Sequence, residues 1–318
     1  MTTRLHFTEN GLIPVITIVG PTATGKSKLA FNLAKSFGGE IINGDSRQVY
    51  RHMDIGTAKP SREQRSLIPH HLIDIVDPNE TYSLALYLEQ ARKSIQDIYN
   101  RGKLPFLVGG SGQYIWSVLE GFKTPQVAPN ISLRKKLEAE AIKDGHAALW
   151  QRLEKIDPEA ASRIEARNVR RVIRGLEVYY ETGIPFSQAQ TREEPPYSSL
   201  VIGLTLERTS LYKRIDKRTD NMIENGWPEE VACLLENGYY PELPSMSSLG
   251  YRDIAACITE NMALDEAVVR IKSSTHRFAR NQYAWFRLND PRIHWLDADV
   301  PETPILAHGK VSEFLRYT

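Results

Sequence analysis

The sequence predicts an α/β fold: a parallel sheet flanked by helices, with an all-helical subdomain inserted into it. Three observations carry this expectation. Compact apolar runs alternate with helical periodicity through the N-terminal third, the rhythm of strand–helix–strand units. Those runs end in glycine or a polar turn. Between about Thr124 and Pro196 the texture changes to charged helical sequence before a strand pattern resumes.

Taken in order, residues 15–19 form the first strand. Leu29, Ala30, Leu33, Ala34 and Phe37 then recur at helical spacing, and Gly38-Gly39 ends that helix before a second strand at 40–42. A third strand at 105–108 runs into Gly109-Gly110. Ligands of open parallel sheets collect outside the carboxyl ends of the strands, so the loops after these three strands are expected to converge on one site. Pro125 and Pro129 open the inserted segment and Pro195-Pro196 close it. A strand at 200–206 follows, then amphipathic helices starting near Ser210, Pro228, Asp265 and Pro304. The expected division is 1–123 for the first part of the core, 124–197 for the helical insertion and 198–318 for the second part with the C-terminal helices. There is no internal repeat and no low-complexity tract.

With 318 residues, 41% of them hydrophobic and 25% charged, the chain can bury a substantial core, which argues against disorder. The net charge is only +1, so attraction to nucleic acid has to come from local basic patches. Cys233 and Cys257 supply neither a disulfide framework nor a zinc-ligand spacing, which points to a reducing compartment. The apolar run 12–19 is interrupted by Pro14 and is too short to span a bilayer, and no signal peptide is evident. A cytoplasmic protein without a membrane partner, working as a monomer, is expected.

Gly20, Pro21, Thr22, Ala23, Thr24, Gly25, Lys26 and Ser27 match G-x-x-x-x-G-K-[ST] between a predicted strand and a predicted helix, the context that makes the match a P-loop NTPase-like phosphate cradle. Backbone N–H groups wrap the anion, the helix N-terminus adds positive partial charge, Lys26 contacts phosphate oxygens and Ser27 can ligand Mg²⁺. Phosphoryl-transfer enzymes with this loop usually add a Walker-B aspartate. Here the strand at 106–108 ends in Gly109-Gly110-Ser111, and the only apolar run reaching an aspartate is Leu72-Ile73-Asp74. That weakens an ATPase reading without removing it.

Asp45 follows the second strand, where a carboxylate can serve as a general base or simply cap or end the element. Ser111 offers a hydroxyl at the same mouth, or a helix N-cap. Arg214 and Arg218 share one helix face and can neutralise an anion with planar donor forks, or lie on a solvated face. The tandem His70-His71 points to opposite faces of a strand and is assigned no metal.

The run from Asp45 through Ser46, Arg47 and Gln48 to Pro60, together with the P-loop, resembles the bacterial tRNA dimethylallyltransferase (IPP transferase) family. The similarity continues through His70–Pro78, Val108–Tyr114, Leu249–Arg252 and Arg280–Arg287, covering nearly the whole chain in order. The resemblance implies that the P-loop holds the diphosphate of dimethylallyl diphosphate, and that the N6 amine of the adenine beside the anticodon attacks the allylic carbon. It implies Asp45 as the base, Ser111 in place of an active-site threonine and Arg218 on the diphosphate. Displacement at carbon needs charge neutralised on the leaving group rather than a water aligned on phosphorus, which accounts for the absent Walker-B aspartate.

Single-stranded loops are the usual targets of base-modifying proteins, and the anticodon stem-loop of tRNA suits that requirement. Arg163, Arg167, Arg170, Arg171 and Arg174 crowd the inserted segment with Glu165 the only acid among them. Arg277, Arg280, Ala284 and Arg287 are spaced to line one helix face, with Tyr283 and Trp285 interleaved; the alternative is an exposed charged face over core-facing Phe278 and Trp285. The resemblance places RNA contacts at Asp45, Ser46, Arg47 and Gln48, at Arg170, Arg171 and Arg174, at Ser247, Gly250, Tyr251 and Arg252, and at Arg280, Gln282, Trp285 and Arg287. The rivals are a P-loop kinase of nucleotides or other small molecules, an adenylate isopentenyltransferase acting on free nucleotides, and a non-catalytic RNA-binding protein with a vestigial P-loop.

Overall fold

The protein is described from a computed structural model, which covers residues 11–125 and 127–316. It divides into two compact units, one running to Leu119 and resuming at Pro196, the other comprising Glu120–Pro195.

The first unit begins with β1 (Ile13–Val19), α1 (Lys26–Phe37), β2 (Gly39–Asn43), α2 (Arg62–Leu67), β3 (His70–His71), α3 (Leu84–Asn100), β4 (Leu104–Val108) and α4 (Gly112–Leu119). The second holds β5 (Phe122–Lys123), α5 (Ile131–Asp144), α6 (His146–Ile156), α7 (Pro158–Arg163), α8 (Val169–Thr182), α9 (Phe186–Ala189) and β6 (Thr191–Arg192). The first unit then resumes with β7 (Tyr197–Thr205), α10 (Arg208–Glu224), α11 (Trp227–Glu236), a short 3₁₀ turn at Ser245–Ser247, α12 (Tyr251–Thr259), α13 (Leu264–Trp285), β8 (Ile293–Asp297) and α14 (Thr303–Phe314).

Six strands form one sheet in the order β3-β2-β4-β1-β7-β8, every pairing parallel. β1 is buried along its whole length because both faces are covered. Val15 and Val19 pack with Leu88, Ala91 and Ile95 of α3 and Ile115 of α4. Ile16 and Ile18 pack on the opposite face with Leu29, Ala30 and Leu33 of α1 and Ala307 and Val311 of α14. Gly38, in the left-handed conformation at φ 64°, ends α1 and donates its N–H to Ala34, so β2 can start at once. A separate apolar cluster joins Val49, Tyr50 and Met53 to Trp227, Met246, Tyr251 and Ile271.

The second unit has its own core, built on Leu137, Leu149, Leu153, Val172, Ile173 and Leu176. It is not wholly helical, since β5 and β6 pair antiparallel through Phe122–Arg192 and Lys123–Thr191. Glu177 is fully buried there, and its carboxylate is met by Arg134 at 2.7 Å, Arg174 at 2.6 Å and the Asn130 N–H at 2.8 Å. Among the described residues no helix is long and apolar enough to cross a membrane.

Candidate active site

The P-loop leaves β1 at Gly20, whose φ of 134° and close approach to the β7 backbone exclude a side chain: a Cβ would lie 2.2 Å from the Leu204 carbonyl oxygen. Thr24 Oγ1 donates to the Pro21 carbonyl at 2.9 Å and Lys26 Nζ to the same oxygen at 2.6 Å, closing the loop on itself. Burial, aided by the nearby Arg218 guanidinium and opposed by the Asp45 carboxylate, lowers the Lys26 ammonium from 10.5 to about 7. Burial also lowers Arg218, again with Asp45 opposing. These three groups, drawn from α1, the loop after β2 and α10, therefore share one electrostatic field. Arg218 Nη1 donates to Thr22 Oγ1 at 3.3 Å, touching the P-loop directly. Arg214, four residues earlier, turns instead to Asp299 and the Ala298 carbonyl. Only one of the two arginines thus joins the phosphate loop.

Asp45 is shaped by a residue that pattern reasoning passed over. Asn43, buried at the end of β2, accepts the Asp45 N–H at 2.9 Å and donates to the carbonyls of Asp45 and Leu72, both at 2.9 Å. The Asp45 carboxylate accepts the Arg47 N–H on Oδ1 at 2.8 Å, a local turn rather than a helix cap. Ser111 Oγ accepts the Ser46 N–H at 3.1 Å, while the Ser111 N–H donates to the Gly44 carbonyl at 3.2 Å. The contact is tight because Gly109 lies on Gly44, where a Cβ would stand 2.1 Å from the Gly44 oxygen. The loops after β2 and β4 are thereby locked together beside the P-loop. The Asp74 carboxylate is held by Lys59 and Arg65 and supplies no Walker-B group.

Of the expected RNA-facing residues, several are occupied elsewhere. Gln282 is 4% exposed and accepts the Thr22 N–H, bonding inside the sheet end rather than to anything at the surface. Tyr251 is fully buried, its hydroxyl donating to Glu230 at 2.7 Å. Gly250 opens α12 at φ 84° and is pressed against the Trp227 ring, where a Cβ would find carbon at 2.2 Å. Arg174 is half-buried and committed to Glu177 and the Val127 carbonyl. Arg287 lies beyond the end of α13, so it does not continue the helical stripe. By contrast Arg170, Arg171, Arg252, Arg280 and Trp285 are exposed, Trp285 to 48%. Phe278 is also 40% exposed, so neither aromatic faces the core. Arg280 donates to the Tyr212 hydroxyl at 2.6 Å, and Arg47 to the Pro244 carbonyl at 3.0 Å near half-buried Ser247. The Gln48 amide donates to the Thr57 and Ala58 carbonyls, and the Ser46 side chain stays beside Ser111.

Residues 48–289 match the family described as IPP transferase, and residues 13–68 match isopentenyl transferase. The chain belongs to the IPP transferase family. A tRNA dimethylallyltransferase of Roseiflexus sp. (strain RS-1) is 53% identical over 291 residues, spanning 92% of this chain and 95% of the relative. One of Thermomicrobium roseum is 47% identical over 91% of this chain and 87% of its own length. The crystal structure of a tRNA isopentenylpyrophosphate transferase from Bacillus halodurans is similar with a TM-score of 0.71 at 40% identity, covering 96% of this chain and 97% of that one. A eukaryotic dimethylallyltransferase acting on tRNA gives 0.79 at 30% identity over 94% of this chain and 77% of the other. IPP transferases share the P-loop NTPase-like parallel sheet seen here.

Proposed function

We propose that this chain transfers the dimethylallyl group of dimethylallyl diphosphate to N6 of the adenine adjacent to the anticodon, position 37, in tRNA. The observation that carries the proposal is the Arg218 contact to Thr22 at 3.3 Å, which sets a second cation beside Lys26 and near Asp45 at a P-loop with no Walker-B aspartate among the described residues. Two partly buried cations suit a departing diphosphate, and a carboxylate close enough to act on both suits an amine that must lose a proton.

Residues 20–27 and Arg218 grip the diphosphate. The N6 lone pair attacks the allylic C1; the C–N bond forms as the C–O bond breaks, and the electron pair of that bond leaves on diphosphate. Asp45 accepts the N6 proton, while Ser111 fixes the turn that aims Asp45 and offers its hydroxyl at the same mouth. A positioned base of this kind contributes about 10²–10⁴-fold. The Ser27 hydroxyl is exposed at the start of α1, and no carboxylate cluster accompanies it among the described residues. That donor set fits Mg²⁺ held mainly by substrate phosphate oxygens and water, with Ser27 as the protein ligand. When bound, the ion would help neutralise the diphosphate.

RNA contacts are assigned in the first unit to Ser46, Arg47, Gln48, Ser247, Arg252, Arg280, Trp285 and Arg287, and separately in the second unit to Arg170 and Arg171; guanidinium groups there can meet phosphates, and an exposed indole can stack on a base. We propose that it works as a monomer in the cytoplasm, a reducing compartment that two unpaired cysteines suit. The test combines purified protein, Mg²⁺, anticodon stem-loop RNA and radiolabelled dimethylallyl diphosphate. Label should enter the RNA and diphosphate should be released. Transfer of the ATP γ-phosphate with no label in RNA would support a kinase instead, and AMP accepted in preference to stem-loop RNA would support a free-nucleotide enzyme.

A further inference from the structure

The ladder between β1 and β4 ends with Gly109 N–H donating to the Ile18 carbonyl at 3.1 Å. Beyond that rung the two chains separate, one into the P-loop and the other into the turn that carries Ser111. The gap is spanned by a side chain from α13: Gln282 Oε1 accepts the Thr22 N–H at 2.8 Å, and its Nε2 donates to the Gly110 carbonyl at 2.9 Å. A carboxamide carries an acceptor and a donor on separate atoms at one end, so it can act as one further rung between the two backbones.

The rest of the helix end enforces this placement. Trp116 Nε1 donates to the Trp285 carbonyl at 2.9 Å, and Gly112 lies so close under Trp285 that a Cβ would be 2.3 Å from the indole Cβ. Gly110 leaves the amide its space, since a Cβ there would stand 2.2 Å from Nε2. Thr22 is therefore held twice, by Gln282 at its N–H and by Arg218 at its hydroxyl.

We propose that Gln282 is a positioning residue that sets the spacing between the phosphate cradle and the Ser111 turn. The proposal rests on the prenyl-transfer reading for its kinetic consequence, and on geometry alone for its effect on the P-loop. Misplacement of a reacting pair by about 1 Å costs on the order of 100-fold, which is the size of effect a lost rung can produce.

Gln282→Leu removes both bonds at similar volume; Gln282→Glu keeps the acceptor for Thr22 and sets a carboxylate oxygen against the Gly110 carbonyl, and serves if the leucine variant does not fold. Each is measured for melting temperature, stem-loop RNA affinity, KM for dimethylallyl diphosphate, kcat, and equilibrium binding of inorganic diphosphate without RNA. The expected pattern is a folded protein with RNA affinity within about twofold of wild type, weaker diphosphate binding, and kcat/KM for the prenyl donor reduced on the order of 100-fold. Loss of RNA affinity with unchanged kcat and unchanged diphosphate binding would make Gln282 an RNA contact and overturn the proposal. So would wild-type kinetics in a folded variant. If wild-type protein prenylates no RNA while inorganic diphosphate binding still depends on Gln282, the functional reading fails and the positioning of the P-loop stands.

Discussion

Raising the pH from 7 to 9 is expected to weaken diphosphate binding through Lys26. Its ammonium titrates at about 7, because burial and the Arg218 charge both oppose the proton. A ligand that needs the charged form binds with an affinity reduced by the fraction of protein carrying that proton. That fraction falls from about one half at pH 7 to about one hundredth at pH 9, so affinity should drop about 50-fold, or roughly 2.3 kcal/mol. The terminal phosphate of the ligand has lost its last proton by about pH 7, so the trend belongs to the protein. Calorimetric titration with an unreactive dimethylallyl thiolodiphosphate at saturating Mg²⁺ measures it. Repetition in buffers of different ionisation enthalpy should show about one proton taken up on binding near pH 9.

The neighbours give signed controls. Arg218→Gln removes a like charge and should move the midpoint up, whereas Asp45→Asn removes the opposing carboxylate and should move it down. Stability of the free protein should run the other way. Below about pH 7 Lys26 is charged in both states and its burial costs stability in full; between about 7 and 10.5 only the unfolded chain keeps the proton, so stability rises with pH. A flat affinity profile without proton uptake, or three coincident midpoints, would refute the reasoning.

Asp45→Ala should keep stem-loop RNA affinity and lose about 10²–10⁴-fold in turnover, read by single-turnover prenylation; wild-type turnover would remove Asp45 from the chemistry. Glu230→Ala strips a carboxylate that accepts the N–H groups of Asp54 and Ile55 at 2.7 and 2.6 Å and the Tyr251 hydroxyl at 2.7 Å. Urea denaturation should register a loss of about 1–3 kcal/mol, and an unchanged midpoint would mean that the 53–60 loop holds without it. Arg170→Ala should weaken RNA binding and reduce the slope of log affinity against log salt by about 1; an unchanged slope would count against a phosphate contact there.

The phosphate loop was legible because its signal is local: eight contiguous residues between a strand and a helix specify their own conformation. Asp45 was legible for the same reason, as a polar residue at a strand's carboxyl end. Asn43 and Gln282 were not, because a buried amide is defined by distant partners, Leu72 and Asp45 for one, Thr22 and Gly110 for the other. Tyr251 was misplaced for a related reason. Its ring belongs to a cluster with Trp227, and tyrosine composition alone cannot distinguish a stacking surface from a core. The strand β8 escaped because its five residues alternate too briefly to stand out, although its register with β7 is regular. Arg214 and Arg218 could not be separated from spacing, since one helix turn divides the side chain that reaches Thr22 from the one that pairs with Asp299.

The central place of β1 also bears on how the protein assembles. Ile16 is in register with Phe106 on one side and Leu200 on the other, partners about 90 and 180 residues later in the chain, and such distant closures are slow steps of folding. Until both are made, Thr22 has neither Arg218 nor Gln282 beside it, and the P-loop has no fixed rim. A diphosphate ligand therefore acts on the finished fold: it deepens the native basin and retards escape from it, while the climb into that basin proceeds without its help.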